Sequence, residues 1–178
     1  MEGLLTSTLR CAAGQNKASI VKDLLSAGAG VKSGGALHAA VDSGFLPPVS
    51  LIARDAGGFA AVRALNSSGK TPLYVAAERG YKDIAAELLA CRADVNAKSV
   101  PGGLTALHRA VRKRHLSVTQ LLLCHPDVCV EAAGGSRDET ALHIAALNTV
   151  AVVQALVDGG ADVNARDRGM ATPLHNAA

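Results

Sequence analysis

The sequence predicts an all-α fold, a solenoid of about six short helix–turn–helix units, from three observations. The first is self-similarity. TPLYVAAERG from Thr71, TALHRAVRKR from Thr105, TALHIAALNT from Thr140 and TPLHNAA from Thr172 align without gaps, and weaker copies begin at Gly35 (GALHAAVDSG) and Ser7 (STLRCAAGQN). Successive starts lie 28, 36, 34, 35 and 32 residues apart, a mean of 33, and a fixed period of about that size marks stacked repeats. The second is apolar spacing after each copy: Ile20, Val21, Leu24 and Leu25, then Ile84, Ala85, Leu88 and Leu89, then Val152, Val153, Leu156 and Val157 each share one helical face. The third is composition. Hydrophobic residues make up 49% of the chain but aromatics only 2%. Large rings normally fill a thick core, whereas Ala, Leu and Val suit thin layers of closely approaching helices, and Ala is the best helix former.

The elements follow in order. Repeat one pairs a helix from Ser7 with one around Ile20 to Leu25 and ends in SAGAGV, whose glycines fit a left-handed cap. In repeat two, Pro47 and Pro48 stand where the second helix should begin. Proline is tolerated in a first helical turn, so a short helix from about Val49 to Arg54 is expected, closed by Gly57 and Gly58. The next segment, FAAVRALNSSGK, is longer than the equivalent connections elsewhere. Repeat three has Thr71 to cap and Pro72 pre-set for the first turn, a helix over Leu73 to Arg79, and Gly80 at the turn. In repeat four His125-Pro126 ends the second helix where other repeats use Gly, and repeat five closes with DGGADVNARD. Repeat six reaches only Ala178, inside its first helix. It lacks the polar cap that stacks need, so the chain is read as a fragment or as having that edge covered by a partner.

Taken together these marks resemble the ankyrin repeat, with its period of about 33 residues and its T-P-L-H-x-A signature. ADVNA at Ala93 to Ala97, and again at Ala161 to Ala165, resembles that family's approach to its hairpin. The resemblance spans roughly residues 7 to 178 and makes residues 1–178 a single ankyrin-repeat domain, with repeats starting near 7, 35, 71, 105, 140 and 172. It implies L-shaped units in which antiparallel helix pairs stack while hairpin loops project to one side and help form a concave face.

Bulk properties narrow the function. A formal charge of +3 and a pI near 8.8 are mild, and the excess lies in the first 70 residues, with seven Lys/Arg against four Asp/Glu. That is too little to argue for nucleic acid. Cysteines at 11, 91, 124 and 129 make no evident disulfide framework. The start, MEGLLTSTLRCAAG, lacks a basic n-region and a long apolar run, so no signal peptide is expected. No apolar run approaches the length of a membrane span. A reduced protein of the cytoplasm or nucleus is the simplest expectation.

Residues able to do chemistry do not converge. His38, His108, His143 and His175 share one repeat position, with Tyr74 in the slot in repeat three. One imidazole per layer cannot meet another on one atom, and the resemblance implies that each bonds the neighbouring Thr and the adjoining loop backbone. Cys124-His125-Pro126-Asp127-Val128-Cys129 has donors that suit zinc, but no second Cys/His pair lies nearby in sequence, and a small thiol at the end of an apolar helix packs well when buried. NSSGKT at Asn66 to Thr71 lacks the first glycine of a phosphate loop. Asp94 and Asp162 recur at equivalent positions, as loop hydrogen-bonding residues do. Asn96 and Asn164 each follow Asp-Val, with Leu88 and Leu156 eight residues earlier. Asparagine in that setting is hydroxylated in some animal ankyrin proteins, although plain loop hydrogen bonding accounts for both. The sequence therefore implies no enzyme, no cofactor, no metal and no small-molecule substrate.

The candidate partner-binding set is centred on Arg109, Arg112, Lys113, Arg114 and His115. Positions 109, 112 and 113 share a helix face, and the resemblance puts the end of the first helix toward the concave surface. Equivalent positions are Glu78 and Arg79, then Leu147 and Asn148, while Leu104, with Val100 and Pro101 before it, would add an apolar rim. Arginine beside apolar contacts is the chemistry of interface hot spots, and the absence of an aromatic stacking platform argues against nucleic acid. The function expected is a protein–protein interaction scaffold that docks a partner, through an acidic segment, on its concave face and hairpin loops. The alternative is a substrate-recruiting accessory segment of a larger, enzymatic protein.

Overall fold

A computed structural model of the chain describes residues 2–31 and 35–177. Among these residues the regular structure is helical, apart from one isolated antiparallel bridge between Gly134 and Glu139. The all-α solenoid expected from the period is what the chain forms. It divides into two compact units, Met1–Asp94 and Val95–Ala178. Ala178, where the sixth repeat was expected to stop, lies outside the described residues.

The first unit holds α1 (Glu2–Gly14), α2 (Ala18–Ser26), α3 (Gly35–Ser43), α4 (Leu46–Ala53), α5 (Gly58–Arg63), α6 (Pro72–Arg79) and α7 (Lys82–Ala90). First helices stack on first helices, α1 on α3 and α3 on α6, while second helices form their own layer, α2 on α4 and α4 on α7. Three details depart from expectation. The first helix begins at Glu2 and not near Ser7, because EGLLTS contains no proline and the hydroxyls of Ser7 and Thr8 bond back to Leu4 O within the helix instead of capping a new one. The second helix of repeat two spans Leu46–Ala53, with both prolines inside its first turn, where a proline costs no hydrogen bond. The extra helix α5 begins at Gly58, expected to close repeat two, and runs into the long connection FAAVRALNSSGK; it packs against α3, α4 and α6, with Gly58, Ala61 and Val62 buried. Past it, Asn66 Oδ1 accepts from Ser68 N (2.9 Å) and Lys70 N (3.0 Å), which makes NSSGK a hydrogen-bonded turn.

The second unit holds α8 (Ala106–Arg112), α9 (Leu116–Leu123), α10 (Ala141–Ala145), α11 (Val150–Asp158) and α12 (Pro173–Ala177). Here α8, α10 and α12 make the first layer and α9 and α11 the second. Hairpin tips stack as well: Gly135 N donates to Gly102 O (2.6 Å), and Arg168 N to Arg137 O (2.8 Å). A Cβ on Gly134 would come within 2.5 Å of Gly103 O, so that approach requires glycine.

Small residues set the spacing of the layers. Ala40, Ala76, Ala110 and Ala145 each stand five places after a repeat start, and all four are fully buried. Leu37, Leu73, Leu107 and Leu142, two places after the start, supply the bulk beside them. Among the described residues no helix is long and apolar enough to cross a membrane.

Candidate functional site: a polarised hollow on the first helices of the second unit

The rigid frame comes from the repeated Thr and His. Thr105 opens α8, and its hydroxyl lies 2.8 Å from His108 Nδ1, while Thr105 N donates to the same nitrogen (3.2 Å). The outer nitrogen, Nε2, donates 3.0 Å to the carbonyl of Glu139 in the next repeat. Thr140 and His143 repeat the arrangement, with Nε2 on Ala171 O (3.0 Å), and His38 reaches Lys70 O (2.9 Å) in the first unit. In His108 a nitrogen that accepts on one side of the ring and one that donates on the other select a neutral tautomer. Burial lowers the pKa of His108, with the nearby cations Lys98 and Arg112 acting in the same direction. These imidazoles are therefore fasteners between a helix start and the following hairpin, as the resemblance implied.

A hollow of about 320 Å³ opens on this frame, lined by Arg112, Arg114, Glu139, His143, Ile144, Leu147, Asn148 and Asn176. Its walls are pinned at both ends. At one end His108 in the first turn of α8 holds Glu139, just before α10; at the other, Asn148 Nδ2 donates to Val111 O (2.8 Å) near the end of α8. The two first helices thus run side by side in the same direction. Arg114 Nη2 donates to Leu147 O (3.3 Å), so its guanidinium sits at the far end of α10. Arg112 is exposed and makes no hydrogen bond or ion pair to a described residue. Leu147 is 71% exposed.

The expected site residues fall into separate groups. Arg112, Arg114, Leu147 and Asn148 meet around the hollow. Lys113 is exposed beside them and Arg109 half-buried on α8, but neither lines it. His115 is a connector: its carbonyl accepts from Thr119 N (2.9 Å) and Oγ1 (3.0 Å) at the start of α9. Leu104 is half-buried in the hairpin, where its carbonyl accepts from Ser99 N (2.9 Å). Glu78 and Arg79 belong to the first unit and carry ion pairs there, Glu78 with Lys70 (2.8 Å) and Arg79 with Asp42 (3.3 Å).

Sequence reasoning passed over Glu139, Ile144 and Asn176. A signal for Glu139 existed. Lys70, the residue before Thr71, reaches Glu78 two helical turns on, so the position before each repeat start and the position seven after it share a face. In the fifth repeat those positions are Glu139 and Leu147.

Among the other residues weighed for chemistry, two loop asparagines take part in local hydrogen bonds, Asn96 through its side chain and Asn164 through its backbone N–H. Asn96 bonds Asp127 O (2.7 Å) through Nδ2 and takes Cys129 N (2.8 Å) on Oδ1, and Asp162 Oδ1 accepts from Asn164 N (2.8 Å). Cys124, expected to pack as a buried thiol, is exposed, because α9 ends at Leu123 and Cys124 stands at its cap, past the helix's buried face.

The chain is matched by the family model "Ankyrin repeats (3 copies)" over residues 9–99 and 107–178. It is 31% identical over 112 residues to Potassium channel AKT2/3 of Arabidopsis thaliana, an alignment covering 63% of this chain and 14% of the channel. It is 29% identical over 148 residues to the Nuclear factor NF-kappa-B p105 subunit of Gallus gallus, covering 80% of this chain and 15% of the subunit. With the B-cell lymphoma 3 protein homolog of Mus musculus it shares 34% identity over 111 residues, 61% of this chain and 24% of that protein. The aligned region thus makes up a quarter or less of each of these relatives.

Proposed function

The chain belongs to the ankyrin-repeat family, and on that premise we propose that it is a scaffold or adaptor which docks a partner protein on the hollow of its second unit. Ankyrin repeats are protein–protein interaction modules. The observation that carries the assignment to this place is the juxtaposition of Arg112, exposed and unpaired among the described residues, with the exposed Leu147 on one hollow. A guanidinium beside an apolar anchor is the pairing that dominates interface energies. The surface is pre-assembled by the Thr–His fasteners, so little ordering entropy is spent on association. Arg112, Lys113 and Arg114 attract an acidic segment of the partner. Leu104, Arg109 and His115 lie outside the hollow and hold its frame, while Glu78 and Arg79 serve the first unit. This is a binding role in the cytoplasm or nucleus, with no reaction of its own.

A second reading has its own support. Because the matched region is a small part of each relative, the same module would also serve as a recruiting segment within a larger protein, bringing a substrate to a neighbouring domain.

The test is affinity capture from lysate with the intact chain and with Arg112→Glu, read by mass spectrometry, with circular dichroism on both. Arg112 is exposed and mid-surface, so the helices are expected to survive its reversal. A partner held by the intact chain and lost from the folded variant supports the docking site. Equal capture by both removes the site and leaves the scaffold role; capture by neither counts against the scaffold role itself.

A further inference from the structure

The hollow is not uniformly basic. Its two charged ends are separated along α10: Glu139 precedes the helix, while the Arg114 guanidinium is bonded to Leu147 O beyond its end. The five residues of α10, Ala141–Ala145, stand between these positions. The backbone of Arg112, at the end of α8, lies at the Arg114 end, because Asn148 ties that end of α8 to the end of α10, and its charge also reaches His108 one turn back. Ile144 and Leu147 occupy the stretch between. The Glu139 backbone is engaged, its carbonyl by His108 and its N–H by Gly134 O (2.8 Å), whereas its half-buried carboxylate makes no hydrogen bond or ion pair to a described residue.

We propose that this hollow reads the direction of a bound segment, accepting a partner peptide with an acidic residue at the Arg112/Arg114 end, an apolar side chain over Ile144 and Leu147, and a basic or amide donor at Glu139. This rests on the hollow being the docking site and makes Glu139 the residue that sets polarity. A segment acidic throughout places a carboxylate against Glu139, and like charges facing one another in a partly desolvated contact reject the wrong partner. The hollow, about 320 Å³, has room for an apolar side chain of such a segment over Ile144 and Leu147.

The test uses the whole chain and a phage-displayed random library of peptides about 12 residues long, the length of a short recognition segment. Selection runs in parallel on the intact chain, Arg112→Glu, Glu139→Gln and Glu139→Lys, each checked for helical content. Peptides enriched on the intact chain are expected to carry Asp or Glu on one side of a large apolar residue and Lys or Arg on the other. Synthetic copies measured by fluorescence anisotropy are expected to bind Arg112→Glu at least about tenfold more weakly, the worth of one contact of roughly 1.4 kcal/mol. On Glu139→Lys the selected far-end charge is expected to invert to acidic, and on Glu139→Gln to become indifferent. If peptides depend on Arg112 but the far-end charge ignores both Glu139 variants, the directional reading is overturned and the docking site stands. If no enriched peptide depends on Arg112, or none is enriched, both are overturned.

Discussion

At His108 one ring carries two duties, and its protonation sets a pH limit on the fold. Nδ1 accepts from Thr105, and Nε2 donates to Glu139 O. Protonation would turn the accepting nitrogen into a donor facing an N–H, in a site where burial already penalises charge. The folded pKa is lowered, so the unfolded chain binds the proton more readily. The stability contributed by the neutral ring is complete above the unfolded value, near 6.5, and is lost as pH falls below it until the folded ring also protonates. Urea midpoints are therefore expected to fall between pH 7.5 and pH 5, and to fall less in His108→Tyr, which installs the residue the third repeat carries at Tyr74. An equal slope in both proteins would remove His108 from the account.

At the scale of the element, the turn between first and second helices is where the repeats differ most. Gly44 (φ +76°), Gly80 (φ +78°) and Arg114 (φ +62°) occupy one repeat position in the left-handed region. The fifth repeat has Thr149 there at φ −73°, because a β-branched residue does not enter that region without strain. Without a left-handed cap α10 is only five residues long, and Leu147 is carried into solvent on the turn that follows. Arg114 is the opposite case, a non-glycine held at a glycine position. Arg114→Gly is expected to relieve about 1 kcal/mol of backbone strain, partly offset by loss of the bond to Leu147 O, which is worth about 0.5–1.5 kcal/mol. Thermal unfolding should show stability changed by no more than about 0.5 kcal/mol in either direction while partner capture falls. A marked loss of stability would mean that the guanidinium serves the fold and not the partner.

At the scale of the molecule, stability is distributed by layer. The leucine two places after each repeat start is buried in Leu37, Leu73, Leu107 and Leu142, yet Leu174 at the same position is 77% exposed. In a stack each layer is held by its neighbours, and a layer covered on one side contributes less. Leu107→Ala removes a side chain only 1% exposed and is expected to cost about 2–5 kcal/mol. Leu174→Ala should cost about 0.5 kcal/mol or less, as exposed substitutions do. Chemical denaturation of both variants checks the contrast, and hydrogen exchange on the intact chain should find the amides of α12 among the least protected. Equal costs would show that α12 is covered in solution.

Much of this protein was written in its residues. The 33-residue period, the Thr cap, the imidazole at N3 and the buried alanine are local or strictly periodic features, so a repeating chain announces its own fold. Arg112, Arg114, Leu147 and Asn148 were legible for the same reason, since each follows a recognisable repeat start by a fixed number of residues. The extra helix α5 was not, because it breaks the period that made the rest readable. Neither was the polarity of the hollow. Glu139 and Arg114 are 25 residues apart in sequence and belong to different repeats. Only the stacking of α10 beside α8, fastened by His108 at one end and Asn148 at the other, brings their charges to opposite ends of one surface.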